Sequence, residues 1–290
     1  EKDTVVNIYL NTIPILNTTQ HQLIVQKGRK NATFSTMIAS TPMYTEHKNL
    51  DEGSKIDKEL EHMNKMIPPK EFINQFRLDG EVNDLLFEMN GQIVEAKLFY
   101  WDYKTKIVIS DVDGTITKSD ALGPFAILLG MDYYRPGTAA LYTAISDLGY
   151  KFIYITRKPM SQIKFVKNFL VKIRQKEEEE ESTMPLGPVI STPYKNYPVL
   201  VYKIWRGPTV FKKSILTCLR NMFPFERNPW IAGFGDKPTD TEAYVFGGLD
   251  EERCFQIDDK GTVSIHTSNT SFQGYSGVRN AIDRWFPTIS

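Results

Sequence analysis

Residues 107–120 read IVISDVDGTITKSD, and this stretch narrows the fold more than any other part of the chain. An uninterrupted aliphatic run leading into polar residues marks a strand buried on both faces, as in parallel sheets covered by helices. That strand delivers Asp111 and Asp113, two positions apart, to its carboxyl end, where open parallel sheets hold their ligands. Gly114 permits the turn that lets both carboxylates face one cleft. Two like charges so close repel unless a cation or a proton lies between them, and an oxygen-only site suits Mg²⁺. Thr115 and the amides beyond it add donors for an anion.

The flanking pattern fits a parallel sheet. Helices are expected at 121–130 and 137–148, and KFIYIT (151–156) is the next strand. A long helix comes next at about 160–176, then a solvated loop at EEEEE (177–181) and a short strand at 187–191. A helix at 209–222, a strand at 230–235 (WIAGFG), a helix at 239–247 and a last strand at 253–257 complete the series. Such alternation implies an α/β domain with a Rossmann-like parallel sheet and helices on both faces. Before Lys106 the pattern differs: 4–13, 22–39 and 83–101 mix β-branched and alternating apolar residues, with Asn90-Gly91 as a hairpin turn. Residues 1–104 therefore read as a β-sandwich with a charge-rich loop or linker at about 45–70. Residues 105–290 read as the catalytic domain, with a C-terminal tail at 266–290. The sandwich is expected to draw strands from both 1–40 and 80–101 and to pack on the catalytic domain.

Composition removes several chemistries. The histidines are His21, His47, His62 and His266, so none is available as a nucleophile or metal ligand between 105 and 260. Neither Cys218 nor Cys254 is followed by Arg six positions on, as a thiol phosphatase loop requires, and two cysteines fit a reducing compartment. Net charge is zero, so no global field draws the chain to nucleic acid, and no direct binding to it is expected. No apolar run reaches the roughly 18 residues of a membrane span, and no signal-peptide pattern opens the chain.

Carboxylates, lysines and hydroxyls remain, and they recur at the other strand ends. Thr156 closes the second strand and offers a hydroxyl to a phosphate oxygen. Lys212 stands early in the 209–222 helix, with Lys213 as the alternative, and a lysine there neutralises phosphate and nucleophile together. Asp236 and Asp240 come after WIAGFG in GDKPTD as further metal ligands, with a helix-capping role as the alternative for Asp240. Together these parts describe phosphoryl transfer: one aspartate attacks phosphorus, the other moves the proton, and the cations hold the phosphoryl charge.

DVDGT, with GDKPTD at a distance after it, resembles the haloacid dehalogenase superfamily of aspartate-nucleophile phosphatases over roughly 105–260. More narrowly, DVDGTITKSDALG, GYKFIYIT, MPLGPVIS, VFKKSIL and FGDKPTDTEAY, in that order, resemble the catalytic region of the lipin family. The preceding NDLLFEMNGQIVEAKLFYWDYKTK and the closing NAIDRWFP extend the resemblance over about 70–290, and QLIVQKG is the best match to the lipin N-terminal region.

The resemblance implies a haloacid-dehalogenase-type domain with an immunoglobulin-like N-terminal β-sandwich. It also implies Mg²⁺-dependent hydrolysis of phosphatidate to diacylglycerol and phosphate, through an aspartyl-phosphate, in triacylglycerol and phospholipid synthesis. By it Asp111 is the nucleophile and Asp113 the acid/base. Thr115, Thr156 and Lys212 hold phosphate; Asp111, Asp113, Asp236 and Asp240 surround Mg²⁺; and Arg157, Lys158 and Lys237 meet the substrate. Two positions depart from the family: Lys158 stands where lipins usually have Arg, with Arg157 shifted by one, and Asp236 stands where many have Asn.

The implied setting is cytoplasmic, with transient peripheral attachment to endoplasmic reticulum or nuclear membrane. The amphipathic helix that opens lipins is not found in the first residues, so attachment is expected to rest on something missing from this chain. Lys164, Lys167, Lys172, Arg174 and Lys176 could meet anionic headgroups or form a plain solvated face. The same motifs also suit a phosphatase of soluble phosphomonoesters or phosphoproteins, and lipin relatives also suggest a transcriptional co-regulator or adaptor.

Overall fold

The structure is a computed structural model that describes residues 4–15, 23–25, 32–34, 70–118, 133–177, 180–192, 208–265 and 267–289. The chain divides into two units, Glu1–Trp101 and Asp102–Ser290. The helix expected at 121–130 and all but the last residue of the linker expected at about 45–70 lie outside the described residues.

The first unit contains β1 (Thr4–Leu10), β2 (Ile13–Ile15), β3 (Leu23–Val25), β4 (Ala32–Phe34), a one-turn helix α1 (Lys70–Ile73), β5 (Val82–Met89) and β6 (Gln92–Phe99). These strands make one antiparallel sheet in the order β4-β3-β1-β5-β6, with β2 paired to β1. Val6, Ile8 and Leu10 alternate along β1 and are buried with Ile15 and Phe72 against Leu85, Phe87 and Met89. The period of two gives the sheet one apolar face. Asn90 and Gly91 join β5 to β6 with φ of 53° and 76°, the two positive values of a type I′ turn.

The second unit contains β7 (Ile107–Asp111), α2 (Thr138–Asp147), β8 (Lys151–Pro159), a 3-10 turn (Met160–Gln162) and α3 (Ile163–Lys172). Next come β9 (Arg174–Glu177), β10 (Glu180–Thr183), β11 (Val189–Thr192), α4 (Pro208–Arg220), β12 (Trp230–Gly235) and α5 (Pro238–Phe246). It closes with β13 (Cys254–Ile257), β14 (Val263–Ile265), β15 (Thr270–Phe272), α6 (Gly274–Asn280) and α7 (Ile282–Trp285). The seven-stranded sheet runs β11-β8-β7-β12-β13-β14-β15. Its first five strands are parallel, and β14 and β15 are antiparallel.

Every residue of β7 is buried, so both faces of the sheet are covered there. Each fully buried aliphatic side chain adds about 1.5–3 kcal/mol relative to exposure. Tyr142 of α2 stacks on Phe152 at 4.7 Å between centroids and meets Phe234 at 5.2 Å, while Phe286 packs edge-on against Tyr150 at 5.6 Å. Among the described residues no helix is long and apolar enough to cross a membrane.

Three expectations are corrected. The helix expected at 160–176 stops at Lys172, where Ile173 turns extended with ψ of 121°. The acidic run expected as a loop instead contributes to an antiparallel hairpin of β9 and β10. The reason is alternation in a polar sequence. Ile173, Gln175, Ser182 and Met184 are buried, while Arg174, Glu181 and Thr183 face out. Gln175 and Thr183 also bond to α2 through Ala139 N (2.7 Å) and Thr143 Oγ1 (2.7 Å). The strand at 253–257 is not the last, since β14 and β15 extend the sheet.

Candidate active site

Three neighbouring parallel strands end at one level. Asp111, the last residue of β7, lies opposite Ile155 of β8, and Ser110 lies opposite Phe234 of β12. Thr156 and Asp236 therefore emerge beside Asp111 at the carboxyl edge of the sheet.

Lys212 reaches this edge from α4. Its ammonium is buried and donates to Asp111 Oδ1 and, at 2.6 Å, to Asp240 Oδ1. Lys213, one residue on, pairs with Glu242 and sits 5.1 Å over the Phe246 ring. The helix thus turns only Lys212 toward the aspartates. Asp240 also serves its own helix, because its Oδ2 accepts the amides of Asp236 and Lys237 at 3.2 Å each. The structure therefore gives Asp240 the cap and the lysine contact together.

Asp111, Asp236 and Asp240 each present an oxygen, all within 4.8 Å of one another. Burial, with the carboxylates of Asp240 and Asp113 nearby, pushes Asp111 up to about 8, and the Lys212 ammonium opposes that rise. Burial pulls Lys212 down, but Asp111 and Asp240 more than offset it and hold the ammonium above the usual lysine range. The buried ammonium thus serves two of the three clustered carboxylates, Asp111 and Asp240. An all-oxygen cluster of carboxylates fits a hard divalent cation.

Asp113 faces elsewhere. Its carboxylate accepts Thr156 Oγ1 at 2.6 Å and the Lys158 ammonium, so it stands beside the three-carboxylate cluster and not in it. The Thr156 hydroxyl also accepts the Lys158 amide at 3.1 Å, which holds the last residues of β8. Thr115 Oγ1 points back to Asp111 Oδ2 at 3.3 Å.

Gly114 has φ of +92°, and a Cβ built there would lie 2.2 Å from Asp236 Oδ2. The turn thus needs glycine for its backbone and for room beside Asp236. Gly114→Ala is expected to cost about 1–3 kcal/mol in backbone strain. Turnover should fall roughly 10²-fold, the effect of about a 1 Å misplacement. Urea denaturation and kcat would check the two parts.

Beside the carboxylates lies a cavity of about 240 Å³, lined by Arg157, Thr209, Lys212, Asp236, Lys237, Thr239 and Asp240. Three cations, two hydroxyls and two carboxylates make it suited to a phosphate together with a cation. Arg157 and Lys237 line it, whereas Lys158 is committed to Asp113.

The model of the LNS2 (Lipin/Ned1/Smp2) family matches residues 64–287. The chain belongs to that family. Phosphatidate phosphatase PAH1 of Arabidopsis thaliana is 34% identical over 230 residues, 77% of this chain and 25% of that protein. Nuclear elongation and deformation protein 1 of Schizosaccharomyces pombe is 38% identical over 214 residues, 71% and 32% of the two chains. Phosphatidic acid phosphohydrolase 1 of Saccharomyces cerevisiae is 35% identical over 226 residues, 72% and 25%. The chain thus spans about a quarter to a third of the length of these curated relatives.

As a member of the lipin family the chain carries Lys158 and Asp236 at the two departing positions, and both have work in the structure. Lys158 pairs with Asp113, and Asp236 joins the three-carboxylate cluster. Thr209 and Thr239 carry no signal in the sequence, although each lies on the helix of a predicted site residue, Lys212 or Asp240. Arg135 is equally silent there. It is 5% exposed and donates to the Gly114 carbonyl, yet YYRPG gives no periodic or motif signal of that contact.

Proposed function

We propose that this chain is the catalytic part of an Mg²⁺-dependent phosphatidate phosphatase. The observation that carries the reading is the gathering of Asp111, Asp236 and Asp240, with Lys212 paired to Asp111 and Asp240, beside a cavity lined with cations. Family membership and relatives named phosphatidate phosphatase support the choice of substrate.

Asp111 is the nucleophile, held at the end of a buried strand and facing the Lys212 ammonium. Its attack on phosphorus gives an aspartyl-phosphate and releases diacylglycerol, splitting one displacement into two easier ones. Asp113 gives its proton to the leaving oxygen and takes one from the attacking water. Thr156 and Lys158 hold its carboxylate in place. Lys212 receives phosphoryl oxygens, joined by the Thr115 and Thr156 hydroxyls once they turn from Asp111 and Asp113, and Arg157 and Lys237 contact the phosphate from the cavity wall. Asp111, Asp236 and Asp240 would hold Mg²⁺, which when bound would neutralise phosphoryl charge.

Phosphatidate lies in a bilayer, so the chain works as a transient peripheral protein on endoplasmic reticulum or nuclear membrane. Lys164, Lys167 and Lys172 are exposed on α3, which starts beside the site, and Met160 at its entry is 53% exposed. These groups suit an anionic lipid surface. The first unit is read as an immunoglobulin-like sandwich, supported by its antiparallel sheet with one apolar face.

Phosphate release from phosphatidate liposomes, with and without Mg²⁺, tests the proposal. Mg²⁺-dependent release that stops on chelation is expected. A strong preference for soluble phosphate esters would defeat the lipid assignment.

A further inference from the structure

We propose that Arg135 is a positioning residue for the catalytic loop, acting through Gly114 without touching phosphate. The inference rests on the aspartyl-phosphatase reading of the site. Arg135 stands next to Tyr134, which bridges to Thr117 just beyond the DVDGT turn. Its guanidinium is buried, and its Nε donates to Gly114 O at 2.7 Å while Nη1 donates to Asp258 O at 2.8 Å. Both acceptors are main-chain carbonyls, so this buried cation is spent on holding two loops at the carboxyl edge of the sheet.

The arginine is itself braced. Its amide donates to Ile116 O at 2.8 Å, and its carbonyl accepts Thr138 Oγ1 at 2.8 Å and Gln175 Nε2 at 2.7 Å. Gln175 in turn accepts the Ala139 amide at 2.7 Å. The first turn of α2 and the β9 strand therefore fix the stem, and the planar fork can act as a rigid rule.

Gly114 is where a small shift matters. A peptide is planar, so holding the Gly114 carbonyl fixes the Thr115 amide on the opposite side of the same plane. Gly114 also lies against the Asp236 carboxylate, with no room for a Cβ. The residue is clamped between the Arg135 guanidinium and Asp236. Arg135 thereby sets the spacing between Asp111 and Asp236. Lysine keeps the charge but lacks the fork that serves both carbonyls.

The test compares the wild-type chain with R135K and R135M. Kinetics would be measured on phosphatidate in mixed micelles and on p-nitrophenyl phosphate, and hydrogen exchange over residues 111–117. In R135M, kcat is expected to fall roughly 10²-fold with KM nearly unchanged, and R135K should lie between. Exchange over 112–117 should be roughly tenfold faster in R135M, with β12 unaltered. If R135M does not fold, the same split and the same local exchange in R135K decide the question. A folded variant with wild-type kcat, a change in KM alone, or unaltered exchange over 112–117 overturns the proposal. A wild-type chain inactive on both substrates sinks the functional reading, and the exchange result then decides the role of Arg135 by itself.

Discussion

Asp111→Asn is expected to lower phosphate release by roughly 10⁴-fold or more, since a missing nucleophile cannot be replaced by its neighbours. The fold should survive, and the reason is the charge state of Asp111. Asp111 and Asp240 share the buried Lys212 ammonium, and burial already pushes the Asp111 carboxyl up to about 8. At neutral pH and before any metal binds, that carboxyl is therefore held largely in its neutral form. The asparagine is nearly the same size, can still accept from Lys212, and matches that neutral form. In chelator, its urea midpoint is therefore expected to equal or exceed that of the wild type. Asp113→Asn should also abolish turnover, since its amide cannot move the proton, and its one carbonyl oxygen keeps only one of the two donors, Thr156 and Lys158. Wild-type turnover by purified Asp111→Asn protein would remove the mechanism.

Lys212→Met should have the opposite effect on the fold. Lys212 is 2% exposed and is the ammonium that both Asp111 and Asp240 accept from. Without it Asp111 and Asp240 lose the buried ammonium they both accept from, which leaves more negative charge uncompensated. Breaking a buried pair by removing one partner costs about 3–5 kcal/mol, because the other charge stays behind in a poor solvent. Urea denaturation in chelator should show a loss of that order. Adding Mg²⁺ should recover more stability in Lys212→Met than in the wild type, since the cation compensates a larger surplus. Catalysis should be lost in either condition. Equal recovery by Mg²⁺ in both proteins would count against a metal at the three aspartates.

The parallel part of the second unit was legible because its strands are buried on both faces and so read as unbroken apolar runs. KIVIS, KFIYI and WIAGF carry that signal, and parallel topology then brings the residues just past each strand to one edge. That Asp111, Thr156 and Asp236 come together needed no more than this. Lys212 against Lys213 was not decided by pattern, since adjacent helix positions differ by about 100° and only packing chooses the inward one. The β9–β10 hairpin was hidden because Gln175 and Ser182 are polar residues on its buried side. The turn of Asp113 toward Lys158 was hidden as well. A side chain just past a strand end is aimed by its partners, and Lys158 is 45 residues away.

Tyr275 of α6 donates to the Thr115 carbonyl at 2.9 Å across 160 positions, and Phe286 is fully buried in the same core. The DVDGT loop thus receives part of its support from the far end of the second unit. During synthesis Asp111 and Asp113 emerge long before Lys212, Asp236 and Tyr275. A nascent chain that ends before Lys212 therefore holds both aspartates without the ammonium that Asp111 accepts from or the hydroxyl that braces Thr115.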